Sequence, residues 1–532
     1  MQRRSPLRTR ASGVLLHVTS LPGSAGSGDM GDEAYAFVDW LHRARQGLWQ
    51  VLPLVPPGYG ESPYQGYSAF AGNPLLLSLE RLQQEPWFST DPGSRSTFPA
   101  DDCVDFRVDF QTVIPYRQEA LREAFAQFQK QASSPERERI DAFREANRWW
   151  LEDYALFMSL KEYYGGVVWN NWPLPLAHRK AEALEEARRQ LQEAIDSQVF
   201  FQYQFSHQWH ALKQYANARG IRIIGDIPIF VAHDSADVWA NQDQFFLDVN
   251  GNPRVIAGVP PDYFSATGQR WGNPLYRWDV MRETGYAWWI KRLSYSAKLF
   301  DYIRLDHFRG FEAYWEIPAD SPDAVTGRWA PGPGAEFFQA AQQKLGPLPL
   351  IAEDLGVITP PVQALRDQFG FPGMRVIQFG FGDDPLKTLH QPHNFVRNCV
   401  AYSGTHDNDT TVGWLNSVAG KDTTRTEEQV QRERREILQY LGGKSREIHW
   451  QIIRLVLSSV ARFAVVTMQD ILGLGTEARM NLPGTSRGNW CWRMQPGQLL
   501  DQHAERLSRM SQSYGRKMLP GKDPRQVIQF AD

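Results

Sequence analysis

Eight short apolar segments recur along the chain, and segments with helical periodicity separate them. The eight are residues 13–20, 48–54, 221–231, 302–308, 350–356, 374–381, 399–409 and 463–474. Strands that alternate with helices form parallel sheets, and eight such strands are the number that closes a (β/α)8 barrel. A doubly wound sheet is the competing arrangement, but no glycine-rich phosphate-binding loop follows the first segment. The sequence therefore predicts an α/β protein built on a (β/α)8 TIM barrel.

Uneven spacing of these segments predicts one catalytic barrel over residues 1–532 that carries large insertions. The insertions fall at about 57–215, 232–300 and 410–455. The first is predicted to be mainly helical, because residues 177–197 are rich in Ala, Glu, Leu, Arg and Gln with apolar positions at helical spacing. The second includes residues 251–276, which are rich in Gly and Pro and show no period of 2 or 3.6. We expect an irregular functional loop there.

Charge and cysteine content restrict the class of protein. Lys and Arg total 57 against 60 Asp and Glu, a formal net charge of −3, which argues against a nucleic-acid or membrane-surface partner. Three cysteines without a C-x-x-C pair exclude a disulfide scaffold and a cysteine-rich zinc site. These features predict a cytoplasmic protein, and they imply no protein partner. The basic first residues leave an organellar transit peptide as an alternative.

Acidic residues stand late in five of the eight segments. They are Asp226, Asp306, Glu353, Asp407 and Asp470. Barrel active sites form at the carboxyl ends of the strands, and carboxylates among apolar residues are rare unless they are paired or functional. Asp470 is the one that best fits a structural role. We expect the others to converge on one barrel mouth.

Converging carboxyl groups are typical of glycosidic bond cleavage, in which one carboxylate attacks the anomeric carbon and a protonated one donates to the leaving oxygen. Arg304 precedes Asp306 by two residues, so both side chains are predicted on the same face of the strand. A cation there favours the charged, nucleophilic form of the aspartate. Glu353 needs the opposite, a raised pKa, to carry a proton at neutral pH.

A metal site is an alternative reading of the sequence THDND (405–409). Strand alternation is predicted to place Asp407 and Asp409 on one face, as two ligands of a cation. The sequence contains no P-loop and no H-E-x-x-H motif. The metal interpretation and the sugar interpretation both remain open at this point.

Long ordered motifs resemble glycoside hydrolase family 77, the 4-α-glucanotransferases, also called amylomaltases or disproportionating enzymes. The motifs are LLHVTSLPG (15–23), WQVLPLVPPGYGESPYQGYSAFAGNP (49–74), GDIPIFVAHDSADVW (225–239), PPDYFSATGQRWGNPLY (260–276), IRLDHFRGFEAYWEIP (303–318), IAEDLGVITP (351–360), SGTHDNDTT (403–411) and ARMNLPGT (478–485). The resemblance implies a retaining enzyme on a barrel without a separate C-terminal β-domain. It also implies that the enzyme needs no cofactor and no metal.

The resemblance also implies roles for individual residues. Asp306 matches the family's nucleophile, Glu353 its acid/base catalyst, and Asp407 a third carboxylate that assists through sugar hydroxyls. The implied substrate-binding residues are Ser62, Tyr64, Asp226, Asp262, Tyr263, Phe264, Trp271, Arg304, His406 and Asn481. The implied partners are α-1,4-glucans and malto-oligosaccharides.

Two reactions and one non-catalytic function fit these residues. The leading hypothesis is transfer of an α-1,4-glucan segment from a donor to the 4-hydroxyl of an acceptor glucan or glucose. An α-amylase-type hydrolase, with water as the acceptor, is the alternative, and the aromatic residues of 251–276 favour transfer because they could exclude water. A non-catalytic glucan-binding protein is disfavoured, since binding alone does not require three carboxylates.

Overall fold

The computed structural model describes residues 9–23, 25–88, 106–261, 267–384, 386–420, 425–443, 446–485 and 487–521. The strands are β1 (Ala11–Leu15), β2 (Leu48–Gln50), β3 (Arg222–Pro228), β4 (Val255–Val259), β5 (Gln269–Pro274), β6 (Tyr302–Asp306), β7 (Ala313–Pro318), β8 (Arg328–Pro331), β9 (Leu350–Ala352), β10 (Gly373–Val376), β11 (Cys399–Tyr402) and β12 (Phe463–Thr467).

The helices are α1 (Asp32–Arg43), α2 (Leu79–Gln83), α3 (Phe110–Gln131), α4 (Ser134–Tyr163), α5 (Leu174–Ala177), α6 (Ala181–Gln190), α7 (Gln192–Ala218), α8 (Ala236–Ala240), α9 (Trp278–Glu283), α10 (Ala287–Leu299), α11 (Gly334–Leu345), α12 (Pro360–Gln368), α13 (Lys387–His390), α14 (Thr411–Asn416), α15 (Glu427–Tyr440), α16 (Ile448–Ser458), α17 (Met468–Leu472) and α18 (Asp501–Ser513). Short 3₁₀ turns lie between several of them.

Eight parallel strands form the barrel in the order β10-β11-β12-β1-β2-β3-β6-β9. The two end strands approach each other, and the amide of Ala352 donates to the carbonyl of Pro372 at 2.9 Å. All eight predicted segments overlap a barrel strand, which confirms the (β/α)8 fold, although β1 and β10 begin before their predicted segments. Each strand ends before its predicted segment does, because the chain leaves the hydrogen-bonded ladder to form the mouth of the barrel.

Side-chain alternation divides the apolar residues of the strands between two layers. One cluster fills the barrel interior with Leu15, Ile224, Ile351, Val400 and Val465, together with other residues of the same parity. Residues of the opposite parity pack outward against the helices in a much larger cluster. Because side chains alternate with period 2, parity decides which later residues of each strand face the mouth.

Long helices fill most of the insertion after β2. Helices α3, α4 and α7 carry apolar stripes, and α4 packs along α7. Of the predicted helical segment 177–197, residues 181–190 form α6 and residues 192–197 begin α7, with a break at Leu191; residues 178–180 precede α6 and are not helical. A single catalytic barrel over residues 1–532 stays a proposal. It is supported by the insertions, which connect directly to barrel strands.

A second, four-stranded antiparallel sheet in the order β5-β4-β7-β8 stands beside the barrel mouth. The prediction of an irregular loop over 251–276 is therefore wrong for β4 and β5, which form a hairpin with an irregular register. Strand β4 pairs with both β5 and β7, and this pairing makes the segment extended despite its Gly and Pro content. Among the described residues, no helix is long and apolar enough to cross a membrane.

Candidate active site

Strand parity brings four predicted residues together at the mouth. Ile224 faces the barrel interior, so Asp226 two residues later faces the same way. By the same alternation Arg304 and Asp306 share the interior face of β6, and Glu353 follows the interior residue Ile351 just after β9. The contacts between these side chains agree with that placement.

Arg304 joins two carboxylates from neighbouring strands. Its Nη1 donates to Asp226 Oδ2 at 2.7 Å, and its Nη2 lies 2.9 Å from Asp306 Oδ1. Burial alone lowers the pKa of the guanidinium, but the two carboxylates outweigh it and raise that pKa well above its ordinary value. The Asp306 side chain is 28% exposed, so the carboxylate is held by an ion pair and still reaches the cleft.

Two backbone amides hold the carboxyl group of Glu353. The amide of His307 donates to Oε2 at 2.7 Å, and the amide of Leu355 donates to Oε1 at 2.8 Å. His307 has a φ of 51°, the left-handed conformation, and this turn lies directly after Asp306. Burial raises the pKa of Glu353 to about 7, although Arg304 and the two amides oppose the rise. This carboxyl can therefore carry a proton near neutral pH.

Asp407, the third predicted carboxylate, lies between the imidazole of His406 and the side-chain amide of Asn481. His406 Nε2 is 3.4 Å from Asp407 Oδ2, and Asn481 Nδ2 donates to Oδ1 at 2.6 Å. Dense protein around the carboxyl raises its pKa, but His406 and the Asn481 hydrogen bond outweigh that effect and hold the pKa well below its ordinary value. Its side chain is 46% exposed to the cleft, so a charged carboxylate is available to a ligand.

Tyr64 connects the two groups of carboxylates. Its hydroxyl donates to Asp226 Oδ2 at 2.9 Å, and its ring stacks on His406 with a centroid distance of 4.9 Å. Asp226 is almost fully buried, and burial raises its pKa to about 6 against the opposing effect of Arg304. Asp226 therefore forms the floor of the site under Arg304 and Tyr64.

With the exception of the buried Asp226, these residues line a cleft of about 800 Å³. The predicted site residues in its walls are Ser62, Tyr64, Trp271, Arg304, Asp306, Glu353, His406, Asp407 and Asn481. The Trp271 ring packs edge-on against His307, with 4.8 Å between centroids. Asp262, Tyr263 and Phe264 lie outside the described residues.

The metal interpretation of THDND assumed that strand alternation continues through this motif, and that assumption is wrong. Strand β11 ends at Tyr402, and the motif forms a turn in which Thr405 and Asn408 hydrogen-bond. Asp409 turns away from the cleft and accepts from Thr476 Oγ1 at 2.8 Å. The described residues contain no group of three His, Cys, Asp or Glu side chains that could hold a metal ion.

Asp470 has the structural role expected of it. Its carboxylate accepts hydrogen bonds from Ser403 Oγ at 2.5 Å and from the amide of Thr411 at 2.7 Å. It thereby ties the turn after β11 to α17, and it does not line the cleft described above.

Aromatic and basic residues of the cleft were missed by the sequence reasoning. Trp490 packs against Tyr64 and His406 at centroid distances of 5.7 and 5.8 Å, and Arg309 and Trp329 also line the cleft. Arg309 lies within the motif 303–318 and Trp490 lies five residues after the motif 478–485, and these positions could have suggested them. Trp329 lies on an antiparallel edge strand outside every motif quoted from the sequence.

Fold and cleft together define a class of protein. A (β/α)8 barrel with an ion-paired carboxylate, a carboxyl group of raised pKa and a third carboxylate at its mouth has the features of a glycoside-cleaving barrel enzyme.

Comparison with known proteins narrows this class. The model of the family Glyco_hydro_77, described as 4-alpha-glucanotransferase, matches residues 16–500. A 4-alpha-glucanotransferase of Thermus thermophilus is 51% identical over 513 residues, which cover 95% of this chain and 98% of that protein. A chloroplastic/amyloplastic 4-alpha-glucanotransferase of Solanum tuberosum is 42% identical over 97% of this chain and 88% of its own length. The amylomaltase from Streptococcus agalactiae, solved in complex with acarbose, superimposes with a TM-score of 0.89 at 40% identity, over 96% of this chain and all of the other.

The chain belongs to the 4-alpha-glucanotransferase family, glycoside hydrolase family 77. Its activity is that of a 4-alpha-glucanotransferase, and these relatives give the hydrolase alternative no support.

Proposed function

We propose that the chain transfers α-1,4-glucan segments with retention, through a covalent glucosyl-enzyme on Asp306, with Glu353 as acid and then base. The observation that carries this proposal is the contrast between the two carboxyl groups. Asp306 forms an ion pair with Arg304 and reaches the cleft, whereas burial raises the pKa of Glu353 to about 7, so that Glu353 can carry a proton near neutral pH. One nucleophile and one acid are the two groups that a retaining mechanism requires.

In the first step a carboxylate oxygen of Asp306 bonds to the anomeric carbon of the donor glucan. The bond from that carbon to the glycosidic oxygen breaks, and Glu353 gives its proton to this oxygen, which departs as the new 4-hydroxyl of the leaving segment. In the second step Glu353 takes the proton from the 4-hydroxyl of an acceptor. The acceptor oxygen bonds to the anomeric carbon, and the bond to Asp306 breaks.

Asp407 is proposed to accept hydrogen bonds from hydroxyl groups of the reacting glucose. His406 and Asn481 orient its carboxylate and keep it charged, so it is in place before the ring changes shape. The Asp226 side chain is fully buried, so Asp226 is proposed to act on the glucose through Arg304 and Tyr64, which it holds in place and which line the cleft. Ser62 and Trp271 also line the cleft and are proposed to contact the glucan.

The acceptor-side roles of Asp262, Tyr263 and Phe264 also remain proposals. The same is true of α-1,4-glucans and malto-oligosaccharides as the substrates, which the size of the cleft and the acarbose complex of the Streptococcus agalactiae relative support. The cytoplasmic location predicted from the sequence stays a prediction.

Maltotriose as sole substrate tests the reaction. Transfer redistributes glucosyl units, so we expect glucose and a ladder of longer oligosaccharides while the total concentration of reducing ends stays nearly constant. A rise in reducing ends in proportion to maltotriose consumed would identify hydrolysis instead.

Two variants test the roles. Asp306→Asn is expected to abolish the covalent intermediate on any donor, whereas Glu353→Gln is expected to react still with α-maltotriosyl fluoride, whose fluoride leaves without a proton. Glu316→Gln is the matched control, because Glu316 is as buried as Glu353 but pairs with Arg328 on the second sheet. Equal loss of fluoride release in the Asp306 and Glu353 variants would contradict the assignment.

A further inference from the structure

The indole ring of Trp329 lines the cleft and takes no part in the reaction proposed above. Among the described residues, Trp149 and Trp329 are the tryptophans that are more than a third exposed, at 41% and 39%. Trp329 lies in the wall of the cleft, as does the half-exposed Val357. An exposed indole leaves a large apolar surface in water, and in a cleft such a surface indicates a binding site.

The ring is held in place without a ligand. The Arg309 guanidinium lies over it, 3.7 Å from the ring centroid. Trp315, its direct partner across β7 and β8, packs against it edge-on at 5.2 Å and 69°. A ring fixed in this way loses little conformational entropy when a ligand stacks on the surface that remains exposed.

Arg309 also links Trp329 to the segment that follows Glu353. Arg309 follows the proposed nucleophile Asp306 by three residues, and it donates to the carbonyl of Val357, four residues beyond Glu353. Trp329 is thus attached to the segment that carries the proposed acid. That side receives the leaving glucan in the first step and the acceptor glucan in the second.

We propose that Trp329 is a stacking platform for a glucosyl unit of the acceptor glucan, beyond the unit that reacts. The proposal rests on the roles given above to Asp306 and Glu353. The apolar C–H face of a pyranose ring matches the exposed indole, and the Arg309 cation on the ring keeps the platform rigid. Because the stacked unit lies beyond the unit that reacts, a single glucose acceptor does not use the platform, and this residue selects longer acceptors.

The test separates donor from acceptor. α-Maltotriosyl fluoride serves as a saturating donor, and either glucose or maltopentaose, each labelled, serves as the acceptor. Trp329→Ala is expected to raise the KM for maltopentaose about fivefold, about 1 kcal/mol of stacking, and to leave the KM for glucose within twofold. Trp329→Phe, which keeps a ring, is expected to restore most of the affinity for maltopentaose.

Trp149→Ala is the matched control, since Trp149 is equally exposed, carries a cation (Lys291) over its ring and lies on α4. It is expected to change neither KM. If Trp329→Ala does not fold, Trp329→Leu keeps the bulk and tests the same loss of the ring. An equal rise in both KM values would show that Trp329 acts through Arg309 as a structural residue and would overturn the proposal, as would no change in either. Failure of the wild-type protein to release fluoride would refute the proposed catalytic roles, and the platform with them.

Discussion

Because the Glu353 carboxyl supplies the proton in the first step, the rate of that step should vary with pH for some leaving groups and not for others. With maltotriose as donor, the departing oxygen needs the Glu353 proton. With α-maltotriosyl fluoride it does not, because fluoride leaves as an anion. Raising the pH therefore removes the acid for one donor and changes nothing essential for the other.

The size of the effect follows from the pKa of Glu353, which burial raises from 4.5 to about 7. At this pKa about nine-tenths of the molecules carry the proton at pH 6 and about one-tenth at pH 8. We expect kcat/KM for maltotriose to fall about tenfold over this interval. The value for α-maltotriosyl fluoride should change less than twofold.

The assay measures kcat/KM for both donors at half-unit steps from pH 6 to pH 8, at constant ionic strength. Glu353→Gln supplies the control, since it should lose maltotriose transfer and keep a flat profile with the fluoride donor. Parallel falls for both donors would place the titration on a group other than the acid. A flat maltotriose profile would refute the raised pKa.

The same pKa shift predicts a pH-dependent stability. The folded protein binds the Glu353 proton more tightly than the unfolded chain, so ionising this group costs stability as the pH rises from about 4.5 to 7. Above pH 7 the cost is complete, at most about 3 kcal/mol. Glu353→Gln should therefore unfold at a higher temperature than the wild-type protein at pH 8 and show a smaller advantage at pH 5. A lower melting temperature at pH 8 would contradict this reasoning.

Four further predictions follow from the site. Asp226→Asn leaves the buried guanidinium of Arg304 with one carboxylate fewer, so it should lower the free energy of unfolding by about 3 kcal/mol as well as activity, measured by denaturant titration and maltotriose turnover. Asn481→Ala removes a hydrogen bond to a charged carboxylate at the cleft surface, and it should cost about tenfold to a hundredfold in kcat/KM with the melting temperature unchanged. Exhaustive chelation should leave activity intact, and loss that Ca²⁺ restores would return a metal to Asp407. Tyr263→Ala should raise the ratio of hydrolysis to transfer with little loss of stability, whereas a large loss of stability at an unchanged product ratio would make that ring structural.

Much of the barrel and of its mouth could be predicted from local patterns. Each strand is a short apolar run, and the alternation of side chains with period 2 is a property of the strand alone. The pairing of Arg304 with Asp306 follows from that alternation, and in the structure Arg304 Nη2 lies 2.9 Å from Asp306 Oδ1. The resemblance to a family then supplied roles that no spacing in the sequence contains.

Tertiary structure decided where each strand ends and what surrounds each charged group. Strand β11 stops at Tyr402, so Asp409 turns away from Asp407. A strand that continued through this motif would have placed both side chains on the same face. Strand β4 is extended because a distant segment, β7, pairs with it, and β5 in turn pairs with β4. Such contacts join residues far apart in the chain, and a local pattern contains no information about them.

The electrostatics of the site depend on tertiary structure for the same reason. Whether a carboxyl keeps its proton depends on how much water and how many charges surround it, and those come from several strands at once. Glu353 and Asp407 are carboxyl groups that look alike in the sequence. Burial raises the pKa of the first, whereas the imidazole of His406 and the amide of Asn481 lower that of the second. The sequence determined that carboxyl groups would meet at the barrel mouth, and only the packing around them decided which one carries a proton.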